Sequence, residues 1–516
     1  MYRYKKKAFF ICSMILLVWT GTFAFANGNA QSFWADEMSS IGFIRSGMSV
    51  GDMFEDYLKA ENNLPLYSFL LYFIYRIVPY GEQFVLLPSI IGSVLGVLFL
   101  GLTARKLKGN TFGIIVVALG SASNSLLWQA AWEARCYGLV FFFSAVSLYF
   151  FVLKSLQDET MYRVLFAIVC FFFMWTHWFA SLVVVVYGVA DLLMILSKRI
   201  CWKNIFCYIL GGCTLLLWMI AVFMNRNFTE SDFWAVSPDW KNTVWTVLSL
   251  LSGRRLLWYI CLLTCGFIGV HFIRKLSRKK RKTDKLAPEE MSLFICVCTI
   301  AFVIGCVFVY SKFINPQGSM YVERYFTVIL PHVLVITAYG IIALRDYFLL
   351  WVGKIAGKGS VYHVTGYIVN GLVALLLIIE LGLAYRDGYI AIHKPFEDFR
   401  SAADYLIEDE KIWNEKALLT GSNKYCVMDG FVDFYFVKRG YKEPENIING
   451  GRDVEQENRF YQNYRESGFE ELLSYDTIYV LCIHMYVDDE FEEFLMENYE
   501  KVENSDDTGI EVWKIR

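Results

Sequence analysis

The chain has 516 residues, of which 56% are hydrophobic and 17% aromatic, and its mean hydropathy of +0.41 excludes an ordinary soluble globular protein. The formal net charge of −2 conceals an asymmetry, because residues 386–516 contain 30 acidic and 15 basic residues whereas the first 385 contain 20 and 33. The composition therefore predicts a polytopic membrane protein with a differently solvated C-terminal part.

The chain begins with a basic stretch, Met1 to Lys7, followed by the apolar run Ala8 to Ala26. The run ends in Ala24-Phe25-Ala26, a small-residue pattern that is typical of a signal-peptide cleavage site. We expect an uncleaved first span instead, because the run is long for a signal peptide and many spans follow it. Cleavage would leave the topology of the rest unchanged.

Ten further apolar runs bring the predicted number of transmembrane helices to about eleven. They cover residues 84–104, 111–127, 138–153, 164–179, 181–196, 205–224, 256–273, 291–310, 326–344 and 365–385. Between the first two spans, the shorter run 64–79 contains Arg76 and predicts an interfacial helix.

The connections between the spans indicate their orientation, because basic residues concentrate in cytoplasmic loops. Basic clusters follow the second span at Arg105 to Lys108 and occur at 198–203 and 274–285. We interpret the run 278–282 as a topology signal, and no nucleic-acid partner is expected. The amino terminus is then cytoplasmic, and an odd number of spans puts the C-terminal part outside.

Residues 386–516 have the pattern of a small α/β domain, with helical spacing over 396–408 and 488–499 and short β-like runs at 416–420 and 477–483. Cys426 and Cys482 could pair in an extracytoplasmic location. The carboxylates at 488–493 lack calcium-loop spacing and are interpreted as a solvated helix face. The predicted division is a transmembrane domain, 1–385, with a first outer loop at 27–83, and an extracytoplasmic domain, 386–516.

Polar groups at the outer ends of the predicted spans are the candidates for chemistry. Ionisable residues at a membrane edge cost free energy, so their presence there indicates a function. The predicted topology puts them all on one side of the membrane: Asp36 and Glu37 after Trp34; Asn63 and Tyr67; Glu133, Arg135 and Tyr137; His177; and Glu323, Arg324 and Tyr325.

Four of these motifs resemble one family of membrane enzymes. Trp34-Ala35-Asp36-Glu37, the Leu-Pro-Leu-Tyr of 64–67, Glu133-x-Arg135-x-Tyr137 and Glu323-Arg324-Tyr325 are similar to the protein O-mannosyltransferase and aminoarabinose transferase superfamily. The resemblance implies a GT-C fold and a glycosyltransferase of the cell envelope that uses a lipid-phosphate-linked sugar. The family commonly has His-Pro-Pro-Leu-Tyr where this chain has Asn63-Leu64-Pro65-Leu66-Tyr67.

The chemistry of sugar transfer assigns roles to these residues. A carboxylate can take the proton of an attacking hydroxyl, and Asp36 is the candidate base. Arg135 and Arg324 are the candidate ligands of a phosphate leaving group. The predicted substrate-binding residues are Glu37, Asn63, Tyr67, Glu133, Tyr137, His177, Glu323 and Tyr325.

Structural alternatives stay open for several of these residues. Arg135 could simply form a structural ion pair with Glu133, and Arg324 could do the same with Glu323. The tyrosines could be interfacial anchors, and His177 could be a hydrogen-bonded structural residue. The sequence establishes no cofactor. A divalent metal at Asp36 or Glu37 is left open, although no set of ligands with diagnostic spacing argues for one.

The predicted function is therefore an inverting glycosyltransferase of the cell membrane. It would move a sugar from a polyprenyl-phosphate carrier to an extracytoplasmic protein, glycan or lipid acceptor, in contact with membrane lipids. A transporter or flippase of lipid-linked sugars is the alternative, although no internal repeat supports it. A scaffold that has lost activity is a third hypothesis, raised by the altered sequence at Asn63.

Overall fold

The computed structural model describes residues 2–60, 63–122, 125–225, 235–250, 254–277, 287–357, 359–394, 397–422, 427–448, 468–483, 487–503 and 509–516. The basic run 278–282 and Cys426 lie outside the described residues, so the interpretation of that run and the pairing of Cys426 with Cys482 stay predictions.

The first apolar segment forms helix α1, and a set of short helices follows it in the first outer loop. These helices are α1 (Tyr2–Ala26), α2 (Ala35–Gly42), α3 (Val50–Ala60), α4 (Leu66–Ile77) and α5 (Glu82–Val85). The predicted interfacial helix corresponds to α4. Helix α2 starts where the carboxylate of Glu37 accepts the backbone N–H of Trp34 at 3.0 Å, which satisfies a donor at the helix start.

The apolar runs that follow form a helical bundle. Its helices are α6 (Leu87–Lys108), α7 (Asn110–Ala122), α8 (Ser125–Trp132), α9 (Tyr137–Leu156), α10 (Thr160–Met174), α11 (Ala180–Leu196), α12 (Ile209–Asn225), α13 (Trp240–Ser249), α14 (Arg255–Ser277), α15 (Pro288–Val309), α16 (Leu330–Ala356) and α17 (Ser360–Ile392). Short 3₁₀ helices, Trp202–Tyr208 and Glu323–Ile329, precede α12 and α16, and a π-helical turn, Tyr310–Ile314, ends α15.

Many of these helices expose apolar side chains outward, as a membrane protein requires. Eight helices in the described part of the chain are long and apolar enough to cross a membrane, or nine if α7 and α8, bent by 66°, form one span. Helix α17 illustrates the exposure, with Leu372, Ile378 and Tyr367 each more than half exposed. The protein is therefore a multi-pass membrane protein. The predicted number of eleven spans is not confirmed, since it also requires the shorter helices α10 and α11 to cross.

A close contact between α6 and α9 positions the loop that carries Arg135. A Cβ atom added at Gly138 would lie 2.4 Å from the backbone oxygen of Ser89, so only glycine permits this approach. The hydroxyl of Ser89 donates to the backbone oxygen of Arg135 at 3.1 Å. The close packing of the two helices thus fixes the backbone at Arg135.

The C-terminal part is the predicted small α/β domain. Its helices are α18 (Phe399–Glu408), α19 (Met428–Val432) and α20 (Asp489–Asn498), and its strands are β1 (Ala417–Gly421), β2 (Ile447–Ile448), β3 (Thr477–Leu481), β4 (Tyr499–Glu503) and β5 (Ile510–Ile515). The sheet order is β2-β1-β3-β5-β4, and β1 runs parallel to both β2 and β3. Helix α17 extends seven residues beyond the predicted domain boundary at 385.

A buried ion pair joins α9 to α11. The ammonium of Lys154 donates to Asp191 Oδ1 at 2.6 Å, and both side chains are fully buried. Tyr208 donates its hydroxyl to the same carboxylate at 2.6 Å, and Asn204 lies 3.5 Å from the Lys154 nitrogen. The pair is therefore surrounded by hydrogen-bonding groups, as buried charges require.

We expect the Lys154→Met variant to be destabilised by about 3 to 5 kcal/mol, because it leaves Asp191 buried without its cation. Thermal unfolding of the detergent-solubilised protein measures the change. The double variant Lys154→Met/Asp191→Asn removes the charge as well and should recover much of the loss. Equal stability of wild type and Lys154→Met would show that the pair does not support the bundle.

Candidate active site

Asp36, in the first turn of α2, is the point on which two distant arginines converge. Arg324 Nη2 lies 2.8 Å from Asp36 Oδ2, and Arg135 Nη2 lies 4.0 Å from the same oxygen. The arginine side chains are only 13% and 11% exposed, whereas Asp36 is 35% exposed. The fold therefore brings together the three residues predicted to act as base and phosphate ligands.

The two arginines are held by different contacts. Arg135 Nη1 donates to the backbone oxygen of Asp36 and to the hydroxyl of Ser40, each at 3.0 Å, so it spans the first turns of α2. The guanidinium carbon of Arg324 lies 4.9 Å from the ring centre of Trp34 and 6.0 Å from that of Tyr137. These cation–π contacts fix the direction from which Arg324 approaches the carboxylate.

Glu37 faces away from Asp36, although the two are adjacent in sequence. Its carboxylate is buried and accepts the backbone N–H of Trp34 at 3.0 Å and that of Ala134 at 2.5 Å. Burial raises the pKa of Glu37 well above its ordinary value, and the nearby Glu133 raises it further, against these hydrogen bonds. Glu37 thus links the start of α2 to the loop that carries Arg135.

Glu133 has a buried carboxyl group of which only one oxygen is hydrogen-bonded to a described residue. Oε1 accepts the side-chain amide of Gln129 at 2.6 Å, while Oε2 has no hydrogen-bond partner among the described residues. Burial raises the pKa of Glu133 to about 7, although the charge of Arg324 works in the opposite direction. A group in this state can accept or donate a hydrogen bond near neutral pH.

His177 lies in the turn between α10 and α11 and belongs to an aromatic cluster with Tyr137 and Tyr325. Its ring centre lies 5.0 Å from that of Tyr325 and 6.1 Å from that of Tyr137. Nδ1 accepts the backbone N–H of Phe179 at 3.2 Å. Burial and the charges of the two site arginines lower the pKa of His177 to about 3, so the imidazole is neutral.

The other predicted substrate-binding residues have polar contacts of their own. Tyr67 shares a hydrogen bond with Ser89 at 3.2 Å, one step from the backbone of Arg135. Glu323 accepts the hydroxyl of Ser249 at 2.9 Å. Asn63 is half-buried in the turn before α4. Tyr67 and Glu323 are therefore neighbours of the arginine-bearing segments, and the role of Asn63 stays a prediction.

A cavity of about 660 Å³ adjoins Arg324 on the side of α8 and the C-terminal end of α17. Glu37, Glu133 and Arg324 are among its lining residues. Its aromatic wall comprises Phe33, Trp34, Trp128 and Trp132, of which the sequence motifs included only Trp34. The Trp-x-x-x-Trp spacing before Glu133 would have indicated one helix face, but buried tryptophans are usual in a membrane bundle.

Trp128 adds a second unsatisfied polar atom to this cavity wall. Its indole Nε1 is buried and has no hydrogen-bond partner in the described part of the chain. The rings of Trp128 and Trp132 stack with centres 4.9 Å apart. Trp128 and Glu133, each with an unsatisfied buried polar atom, therefore both line this cavity, and such atoms can pair with the hydroxyls of a ligand.

Asp36 and Glu37 are the two carboxylates for which the sequence left a metal ligand role open. They have different partners, since Asp36 binds Arg324 and Glu37 binds backbone N–H groups. Across the described ranges, no group of three or more His, Cys, Asp or Glu side chains is arranged to hold a metal ion.

The fold is shared with membrane proteins of known structure. ArnT from Cupriavidus metallidurans in its apo state has a TM-score of 0.64 at 12% identity, covering 97% of both chains. The same protein bound to undecaprenyl phosphate gives 0.57, at the same identity and coverage. The apo oligosaccharyltransferase of Archaeoglobus fulgidus gives 0.51 at 11% identity, covering 90% of this chain and 69% of that one.

These similarities confirm the predicted GT-C fold, and at such low identity they concern the fold alone. No protein-family model matches the sequence, and no curated protein matches it by sequence either.

Glu133 should make the stability of the protein depend on pH. Unfolded, the group ionises above its ordinary pKa of 4.5, but in the folded protein it keeps its proton up to about pH 7. Stability attributable to Glu133 is thus fully present below pH 4.5 and falls as the pH rises to 7, by up to about 3 kcal/mol.

The free energy of unfolding at pH 5 and pH 8, for wild type and Glu133→Gln, tests this dependence. We expect the Gln variant to lose less stability than wild type between the two values, because its amide does not titrate. The same loss in both proteins would contradict the assignment.

Proposed function

We propose that this protein is an integral-membrane glycosyltransferase that moves a sugar from a polyprenyl-phosphate carrier to an extracytoplasmic acceptor. The observation that carries the proposal is the convergence of Arg135 and Arg324 on Asp36, beside a cavity with unsatisfied polar groups. The fold supports it, because ArnT, with which this chain shares its fold, has been seen bound to undecaprenyl phosphate.

Arg135 and Arg324 would bind the phosphate of the donor. Two guanidinium groups face a single carboxylate, so an anion that approaches Asp36 gains charge-assisted hydrogen bonds from both. The same contacts stabilise the negative charge that develops on the phosphate as its bond to the sugar breaks. The phosphate would compete with Asp36 for Arg324, which frees the carboxylate for its own role.

Asp36 would act as the general base. As the acceptor oxygen forms its bond to the anomeric carbon, the bond from that carbon to the phosphate oxygen breaks, and the acceptor proton passes to Asp36. Attack from the face opposite the phosphate inverts the configuration at that carbon. The 35% exposure of Asp36 leaves room for an acceptor hydroxyl, whereas the arginines beside it are mostly covered.

The cavity beside Arg324 would hold the sugar. Sugar hydroxyls can accept from the indole N–H of Trp128 and donate to the unsatisfied oxygen of Glu133, which a hydrocarbon chain cannot do. The half-buried ring of Trp132 offers an apolar surface for the C–H face of a sugar ring. Glu37, Tyr67, Tyr137 and Tyr325 would support this pocket through the loop of Arg135 and the aromatic cluster of His177.

We expect Asp36→Asn to lower sugar transfer by roughly 100-fold or more, because Asn keeps the size of the side chain and removes the base. The assay follows labelled sugar from a polyprenyl-phosphate donor pool into a crude envelope fraction, with matched amounts of folded protein. The labelled product also identifies the class of acceptor.

Asp52→Asn is the matched control, because Asp52 is an exposed aspartate of the same outer loop, on α3, where it accepts the backbone N–H of Ser49. It should transfer sugar at the wild-type rate. Transfer by Asp36→Asn at that rate would refute the assigned base. If wild type moved lipid-linked sugar across the bilayer without transferring it, the flippase hypothesis would replace the transferase.

The proposed orientation puts the amino terminus in the cytoplasm and the C-terminal domain outside. We expect a reporter enzyme that works only outside the cytoplasm to be active when it is fused after Arg516, and one that works only in the cytoplasm to be inactive there. A second reporter, inserted in the basic segment 278–285, should behave in the opposite way. The reverse pattern would exclude an acceptor on the outer face.

A further inference from the structure

The stretch before Asp36 has no helical or strand structure of its own. Helix α1 ends at Ala26 and α2 begins at Ala35, and residues 32–34 lie in neither. Because helix α2 carries Asp36 in its first turn, the path of residues 31–35 determines where the carboxylate lies. The groups that bind this backbone therefore control the geometry of the site.

The C-terminal domain supplies these groups. The backbone N–H of Ala35 donates to Glu397 Oε2 at 2.7 Å, and that of Phe33 to the hydroxyl of Tyr435 at 3.3 Å. The Tyr435 hydroxyl also lies 2.9 Å from that of Ser32. Arg400 completes the set through its backbone N–H, 3.1 Å from the Ser32 hydroxyl, and its Nη2, 3.1 Å from the oxygen of Gln31.

Glu397, Arg400 and Tyr435 form what we call the clamp on residues 31–35. Glu82, at the start of α5, orients this clamp. It is 2% exposed, and its Oε1 accepts from Arg400 Nε at 2.8 Å and from the Tyr435 hydroxyl at 3.1 Å. Because the hydroxyl proton of Tyr435 goes to Glu82, its oxygen is free to accept the N–H of Phe33. The arrangement thus sets the direction of the hydrogen bond to the segment.

A second contact holds α2 from its other side. A Cβ atom added at Gly430 of α19 would lie 1.9 Å from the backbone oxygen of Met38, so the two helices touch at their backbones. Asp433 accepts the backbone N–H of Ser46 and the hydroxyl of Tyr75, each at 2.8 Å. Helix α2 is therefore fixed to the C-terminal domain both before and after Asp36.

We propose that the C-terminal domain positions the catalytic carboxylate, with Tyr435 and Glu397 as positioning residues that hold residues 31–35. The catalytic part of this inference rests on the proposed function. Asp36 lies 2.8 Å and 4.0 Å from its two arginines, so a shift of about 1 Å breaks this geometry, and misplacement of that size can cost roughly 100-fold in rate. The domain would thus belong to the catalytic machinery without touching the reacting atoms.

Hydrogen exchange of the full-length protein in detergent tests the positioning without any substrate. In Tyr435→Phe, we expect the peptide covering residues 31–37 to exchange roughly 5- to 10-fold faster than in wild type. Tyr479→Phe is the matched control, since it removes a hydroxyl that donates to Asp409 inside the same domain at 2.7 Å. It should leave this peptide unchanged. Unchanged exchange in Tyr435→Phe would overturn the inference.

Kinetics test the catalytic consequence. Tyr435→Phe and Glu397→Ala should lower kcat at least tenfold while the KM for the donor changes less than threefold, because both residues bind the backbone that leads to the carboxylate, at Phe33 and Ala35. Glu397→Gln should restore most of the rate, because its amide oxygen can still accept the N–H of Ala35. A rise in KM with unchanged kcat would overturn the positioning role.

The two measurements separate this inference from the proposed function. Faster exchange in Tyr435→Phe together with an unchanged kcat would show that the clamp exists but does not serve catalysis, and the inference would fail. If wild type transferred no sugar while exchange responded as expected, the proposed function would fail and the clamp would remain.

Discussion

The pairing of one carboxylate with two arginines is the constraint on which the site depends. Arg135 and Arg324 are both nearly buried, and a buried guanidinium requires an anion or strong acceptors near it. Asp36 provides one negative charge for two positive ones. The group therefore keeps an excess of positive charge, which favours a second anion beside the first, and this is where we propose that the lipid phosphate binds.

Burial opposes the ionisation of the neighbouring carboxyl groups, which limits how far they offset this excess. Glu37 is buried against backbone N–H groups, and burial raises its pKa. Glu133 has a pKa raised to about 7 by the same cause. Asp36 is more exposed and faces the arginines directly. The three acidic residues of the site therefore have different roles, because their burial and their partners differ. Asp36 pairs with the arginines, Glu37 binds backbone N–H groups, and Glu133 leaves one oxygen without a hydrogen bond to the described residues.

Much of this architecture could be predicted from sequence, because its signals are local. Apolar runs predicted the helices, the change of composition near 386 predicted the C-terminal α/β domain, and motif convergence predicted that Asp36, Arg135 and Arg324 lie together. The sequence predicted Asp36 rather than Glu37 as the residue that acts with the arginines, but the binding of Glu37 to two backbone N–H groups could not be predicted, since it depends on the loop at Ala134. Trp128 was also missed, because a buried tryptophan resembles ordinary core until its N–H is seen to lack a partner.

The clamp on residues 31–35 was invisible to the sequence for a different reason. Tyr435 and Glu397 lie more than 360 residues from the backbone groups that they bind, and hydrogen bonds of that separation leave no periodic signal. This separation also orders the assembly of the site. The membrane helices can pack through contacts near in sequence, but the start of α2 gains its last partners only when the C-terminal domain has folded against it. The α/β domain therefore completes the backbone geometry around Asp36.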